Sequence, residues 1–172
     1  MAVIYSKRFI LRPFMKEDED SLRKNINNER IYRNLASVPY PYTLKHAKEW
    51  IGKNLRESRK KKPLMVNFVI DIDGEVAGSV GFSDIEGHKA DIGYWLAEKY
   101  WGKGIMTEAI KLTTKFGFEK LKLKRISAPV FSFNKASRRV LQKNNYNFEG
   151  VLRKYYNKGR KFLDVYLYAK IK

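Results

Sequence analysis

The sequence predicts a mixed, twisted α/β sheet, mostly antiparallel, with flanking helices. Three observations carry this expectation. Two β-rich runs, "LMVNFVIDI" and "EVAGSVGFSDI", meet at Asp73-Gly74, a tight-turn dipeptide that pairs them as an antiparallel hairpin. A third run, "ADIGYWLA" from Ala90 to Ala97, is followed by apolar residues at helical spacing and then by "RISAPVF". Strand, helix and strand in that order imply a parallel crossover. The chain then closes on "NFEGVLRKYY" and "FLDVYLYAKI", two strands around a turn at Asn157 to Arg160.

The elements follow in order. "FILRPF", from Phe9 to Phe14, reads as a first strand, and a short helix is expected around Asp18 to Ile26. Glu29 to Leu35 suits a further helical turn. Thr43 has the chemistry of an N-cap, and Leu44, Ala47, Ile51 and Leu55 follow on one helical face. The basic run "RESRKKKP" ends that helix and leads into the central hairpin. Ile105, Ala109, Leu112 and Phe116 mark the buried face of a long helix. Asn134 to Asn144 is the last helical segment. No internal repeat and no Pro/Gly/Ser-rich linker divides the chain, so residues 1–172 are expected to form one domain.

Composition narrows the chemistry. The chain is 44% hydrophobic and 14% aromatic, enough for a packed core. The absence of cysteine excludes disulfides, thiolate nucleophiles and cysteine-based zinc sites. With only His46 and His88, a histidine-built metal site is not expected. The first twenty residues contain no long apolar run, and no segment approaches transmembrane length. The expectation is a cytoplasmic protein without a membrane partner. Lys and Arg number 36 against 18 Asp and Glu, a net charge of +18. Such a charge favours anionic partners, or is simply a solvated lysine-rich surface.

One stretch asks for a specific explanation. "KYWGKGIMTEAIKL" sets Gly102-Lys103-Gly104 immediately before the long helix. Free N–H groups and the positive end of the helix dipole meet there, which suits a phosphate. Glycines let backbone approach an anion closely, and Lys103 adds charge. G-x-G before a helix also fits an ordinary tight turn. The spacing is neither a P-loop nor a dinucleotide-binding fingerprint.

"FNKASRRVLQKNNYNFEG", from Phe133 to Gly150, follows one strand later. Together, "DIGYWLAEKYWGKGIMTEA", "NKASRRVLQK" and "FEG" resemble the GNAT acetyltransferase superfamily, most closely its ribosomal-protein-alanine N-acetyltransferase branch. The resemblance runs over nearly the whole chain. It implies acetyl-CoA as donor, an amine as acceptor, and a sheet splayed at its centre near Trp95 to admit pantetheine. On the family's pattern Leu96 and its neighbour Trp95 offer backbone groups to the pantetheine arm, Asn134 bonds it, and Gly102, Lys103, Gly104, Ile105, Met106 and Thr107 offer N–H groups to the pyrophosphate. Arg139 and Lys143 are candidates for the phosphate end. Asn145-Tyr146 stands where relatives often carry Gly-Phe, and asparagine tolerates the left-handed turn required there.

Amide formation demands no covalent intermediate and no cysteine is present to form one, so direct transfer in a ternary complex without a metal is expected. Asp91 is the candidate base, or else a carboxylate that only orients substrate. Ser137 is the candidate partner of the leaving thiolate, or else a helix cap. The tyrosine that many relatives place four positions later is Leu141 here, and a glutamate of some branch members aligns with Tyr156. Asp164 could reach the acceptor or serve strand pairing. An α-amine has a pKa of roughly 7.7–8.0 and a lysine amine near ~10.4, so neutralising them at pH 7 costs about 1 and about 4.6 kcal/mol. A lone aspartate suits the first, which favours a protein N-terminus and is compatible with ribosome association. A small amine such as a polyamine is the alternative acceptor, and would need a local acidic pocket, for which "EDED" at Glu17 to Asp20 is one candidate. A CoA- or RNA-binding protein without catalysis is the alternative of another class. The protein is expected as a monomer or homodimer.

Overall fold

A computed structural model describes residues 2–172. Eight strands form one sheet. They are β1 (Ile4–Tyr5), β2 (Ile10–Arg12), β3 (Val66–Ile72), β4 (Glu75–Glu86), β5 (Lys89–Leu96), β6 (Arg125–Phe131), β7 (Asn147–Lys158) and β8 (Lys161–Ile171), in the spatial order β1-β2-β3-β4-β5-β6-β8-β7. Every neighbouring pair is antiparallel except β5 and β6. The helices are α1 (Glu19–Ile26), α2 (Glu29–Arg33), α3 (Leu44–Glu57), α4 (Ile105–Glu119) and α5 (Lys135–Lys143).

Local chemistry accounts for the boundaries. Asp73 and Gly74 both take positive φ and turn β3 into β4. Thr43 caps α3, its hydroxyl accepting from His46 N–H while His46 Nδ1 accepts from Thr43 N–H. Asn145 adopts φ +58 at the end of α5, and the following Tyr146 is buried with its hydroxyl 2.8 Å from that of Thr114. The anticipated first strand is shorter than Phe9 to Phe14, because Pro13 lacks an N–H and ends the ladder.

The sheet is covered on both faces. Phe68, Phe82, Ile92 and Ile126 pack against Ile105, Ala109 and Ile110 of α4 and Leu141 of α5. On the opposite face Val69 and Val76 meet Leu22, Ile26, Ile31, Ala47 and Ile51 of α1, α2 and α3. Period-two alternation therefore sends Ala90, Ile92, Tyr94 and Leu96 toward α4 and α5, and Asp91 and Trp95 toward the other face. No residue of the "EDED" cluster lines the large cavity beside β5. Asp18 is buried and holds Arg12 through two hydrogen bonds of 2.8 and 2.9 Å, so its charge is spent within the fold.

Candidate active site

The parallel pair is brief. β5 and β6 are in register only from Lys89↔Arg125 to Asp91↔Ser127. Beyond that point β5 stays paired with β4, and β6 with β8, while the two diverge from each other. Ile92 to Leu96 thus present a strand edge with no partner strand on that side. The gap is a cavity of about 630 Å³ that cuts through the sheet between its two helical layers. Asp91, Trp95, Leu96, Gly102, Gly104, Ile105, Met106, Thr107, Asn134, Ser137, Arg139 and Lys143 all line it. Lys103, placed by the resemblance at the pyrophosphate, does not line it, and neither does Asp164. The Lys103 ammonium sits 5.7 Å from the centre of the Tyr100 ring.

At one end of the cavity the chain turns through Gly102 (φ +74) and Gly104 (φ +73), the latter being the N-cap of α4. These are left-handed conformations that glycine adopts without cost. The first helical bond of α4 runs from Glu108 N–H to Gly104 O. The amides of residues 102–107 donate to no acceptor among the described residues. Six consecutive unpaired N–H groups at a helix start, beside Arg139 and Lys143, make a positive concavity that suits a diphosphate.

The centre of the cavity holds a hydroxyl pair. Tyr94 OH lies 2.6 Å from Ser137 Oγ, and burial pushes the Tyr94 phenol well above its usual range. The cap of α5 is Asn134, whose Oδ1 accepts from Ser137 N–H at 3.0 Å. Capping and hydroxyl chemistry therefore belong to different residues, and Ser137 keeps its hydroxyl for Tyr94. Leu96 is less available than expected, since its carbonyl already accepts from Trp101 Nε1 at 2.7 Å.

Toward the α1–α3 side stand Asp91, Asp84, Tyr156 and the loop 34–38. Burial pushes the Asp91 carboxyl above the usual carboxylate range, and the charge of Asp84 adds to this, while Arg125 and Lys89 oppose it. Burial also raises the Tyr156 phenol. Lys158 fixes the loop. Its ammonium donates to Tyr32 O and, at 2.6 Å, to Leu35 O, and lies 3.8 Å from the centre of the Tyr32 ring. Ser37 and Val38 border this entrance, whereas Trp50 packs edge-on against Phe14. Asp164 is exposed and serves strand pairing, its carboxylate accepting from Lys154 N–H at 2.8 Å in an irregular part of β7.

Sequence reasoning missed the Tyr94 hydroxyl and Asp84, whereas the splayed edge near Trp95 was expected from the resemblance. Alternation along β5 marks Tyr94 as facing α5, but nothing in the spacing pairs it with a serine 43 positions away.

A splayed parallel pair ending on a glycine-led helix start is a specific geometry, and comparison with known proteins decides its family. Residues 8–147 match the acetyltransferase (GNAT) domain. The chain belongs to the GNAT acetyltransferase family. Among GNAT relatives, p20 of Bacillus licheniformis, an uncharacterised N-acetyltransferase, is 29% identical over all of this chain and 97% of its own length. The spermidine N(1)-acetyltransferase of Escherichia coli (strain K12) is 27% identical over 83% of this chain and 74% of its own. RimL, a ribosomal L7/L12 alpha-N-protein acetyltransferase solved with coenzyme A, superposes with a TM-score of 0.87 at 25% identity, covering 99% of this chain and 98% of that one. This GNAT protein is an acetyl-CoA-dependent N-acetyltransferase. The free amides and the open strand edge suit that donor.

Proposed function

We propose that the acceptor is the α-amine of a protein N-terminus. The observation that carries this reading is Asp91, a half-buried carboxylate on the acceptor side of the cleft whose pKa is raised by burial. A raised carboxyl is a stronger base than an ordinary one, and an α-amine is more easily brought to its neutral form at pH 7 than a lysine side chain. In this reading Asp91, directly or through a water, takes one proton from the amine as nitrogen bonds to the acyl carbon. Ser137 gives a proton to the sulfur as the C–S bond breaks and is reprotonated from solvent, which takes up the proton held by Asp91, while Tyr94 orients the serine hydroxyl. The amides of residues 102–107, with Arg139 and Lys143, hold the diphosphate and phosphate of the donor, while Trp95, Leu96 and Asn134 flank its pantetheine arm. Lys103 contributes its backbone amide rather than its charge. The likeness to RimL supports a protein acceptor, and the charge of +18 supports transient association with ribosomal RNA.

A second reading rests on its own observation. Asp84 and Asp91 stand together in the cleft of an otherwise strongly basic protein. Such a pair would draw a small polycation, and one relative is named a spermidine acetyltransferase. A panel of N-terminal peptides and polyamines, each assayed for acetylation at equal concentration, separates the two. The first reading requires peptide kcat/KM to exceed that of every polyamine, and the reverse order would replace it with the second.

A further inference from the structure

The turn between β1 and β2 reaches across the sheet edge to the start of α4. Arg8 Nη1 donates to Lys103 O at 2.6 Å, and Nη2 to Gly104 O at 3.4 Å. The same guanidinium bonds Glu108 through Nε at 3.1 Å and Nη2 at 2.5 Å. Glu108 is fixed in turn by Ser6 Oγ, 2.6 Å from its other oxygen. These bonds hold the Glu108 carboxyl below its usual range.

A peptide unit is planar, and its carbonyl and N–H point in opposite directions. Lys103 O shares a plane with the Gly104 amide, and Gly104 O shares one with the Ile105 amide. A donor that grips Lys103 O from outside therefore turns the Gly104 N–H inward, toward the cavity, and at Gly104 O it reinforces the helical bond from Glu108 N–H that turns the Ile105 N–H the same way. The need for such a grip is plain from the residues themselves. Gly102 and Gly104 allow the bend but do little to fix it. Glu108, in the first turn of α4, would also repel an anion at this helix start if its charge were not answered.

We propose that Arg8 is a positioning residue for the donor: it aims the Gly104 and Ile105 amides at the diphosphate and neutralises Glu108 beside them. This rests on the reading that residues 102–107 hold that diphosphate. Arg8 does so from outside the cleft, which it does not line.

The test compares two thioesters on the same sample, acetyl-CoA and S-acetylpantetheine, which lacks the diphosphate. The readout is the ratio of their kcat/KM values, which is indifferent to how much of a variant is folded. Arg8→Gln is expected to lower the preference for acetyl-CoA at least tenfold. Equal loss with both donors would leave Arg8 a structural residue and overturn the proposal. Arg8→Lys keeps the charge but loses the planar fork. Its preference is expected to fall to within threefold of the glutamine variant, and a wild-type preference in Arg8→Lys would overturn the positioning role in favour of simple charge. Gly104→Val tests the underlying reading separately. If it leaves the preference intact, residues 102–107 do not hold the diphosphate. If it collapses the preference while Arg8→Gln does not, only the role of Arg8 fails.

Discussion

Ser137 and Asn134 divide two tasks that one serine could have combined. Ser137→Ala strands the Tyr94 hydroxyl in a buried site, which costs about 1–3 kcal/mol. Adding Tyr94→Phe removes that cost. The double variant is therefore expected to regain thermal stability, while its kcat stays down on the order of 10²-fold, as loss of a positioned acid predicts. Recovery of kcat in the double variant would make Ser137 a packing residue. Asp91 gives a second prediction, in pH. Its raised pKa places the acid limb of kcat/KM above that of an ordinary aspartate, with activity climbing as pH rises through it. The same shift adds stability at low pH that is lost as pH rises through the folded-state value. Asp91→Asn should abolish the limb and should melt slightly above the wild type at pH 8. An unchanged limb in the rate profile would assign the base elsewhere.

At the scale of elements, the decisive features are the ends of α4 and α5. Valine at Gly104 would place its Cβ 3.8 Å from the Arg8 guanidinium, not in the cleft, so crowding of a ligand is not its main effect. The strain is in φ +73, a conformation costing about 1–2 kcal/mol for a residue with a Cβ. Gly104→Val should lower the melting temperature and raise the KM for acetyl-CoA together. A rise in KM with no thermal change would point to crowding of the ligand rather than backbone strain. The elements themselves were legible, because period two and period 3.6 are local signals and Asp73-Gly74, Thr43 and Asn134 are local punctuation. The parallel β5–β6 step was legible from the order of elements alone. The contacts that finish the site were not. Arg8 meets Lys103 across 95 positions, and Tyr94 meets Ser137 across 43. Such hydrogen bonds are set by how layers stack, on which spacing along a chain is silent. Leu96 shows the same limit from the other side, since its carbonyl is taken by the Trp101 indole, a pairing the motif alone does not reveal.

For the molecule as a whole, the cleft couples donor binding to folding stability. A ligand at a hundred times its Kd stabilises by about 2.7 kcal/mol, which for a chain of this size raises Tm by roughly 5–11 °C. Acetyl-CoA should produce that shift in a thermal melt, and Arg8→Gln should reduce it. No shift at millimolar acetyl-CoA would mean that the cleft is not the donor site. Among the described residues no helix is long and apolar enough to cross a membrane. A last consequence comes from Lys158, near the tip of the final hairpin, which grips Tyr32 and Leu35, 126 and 123 positions earlier in the chain. One mouth of the cleft is thus pinned by residues more than 120 positions apart. Substitutions near residue 32 and near residue 158, far apart in sequence, can therefore reshape the same mouth of the cleft.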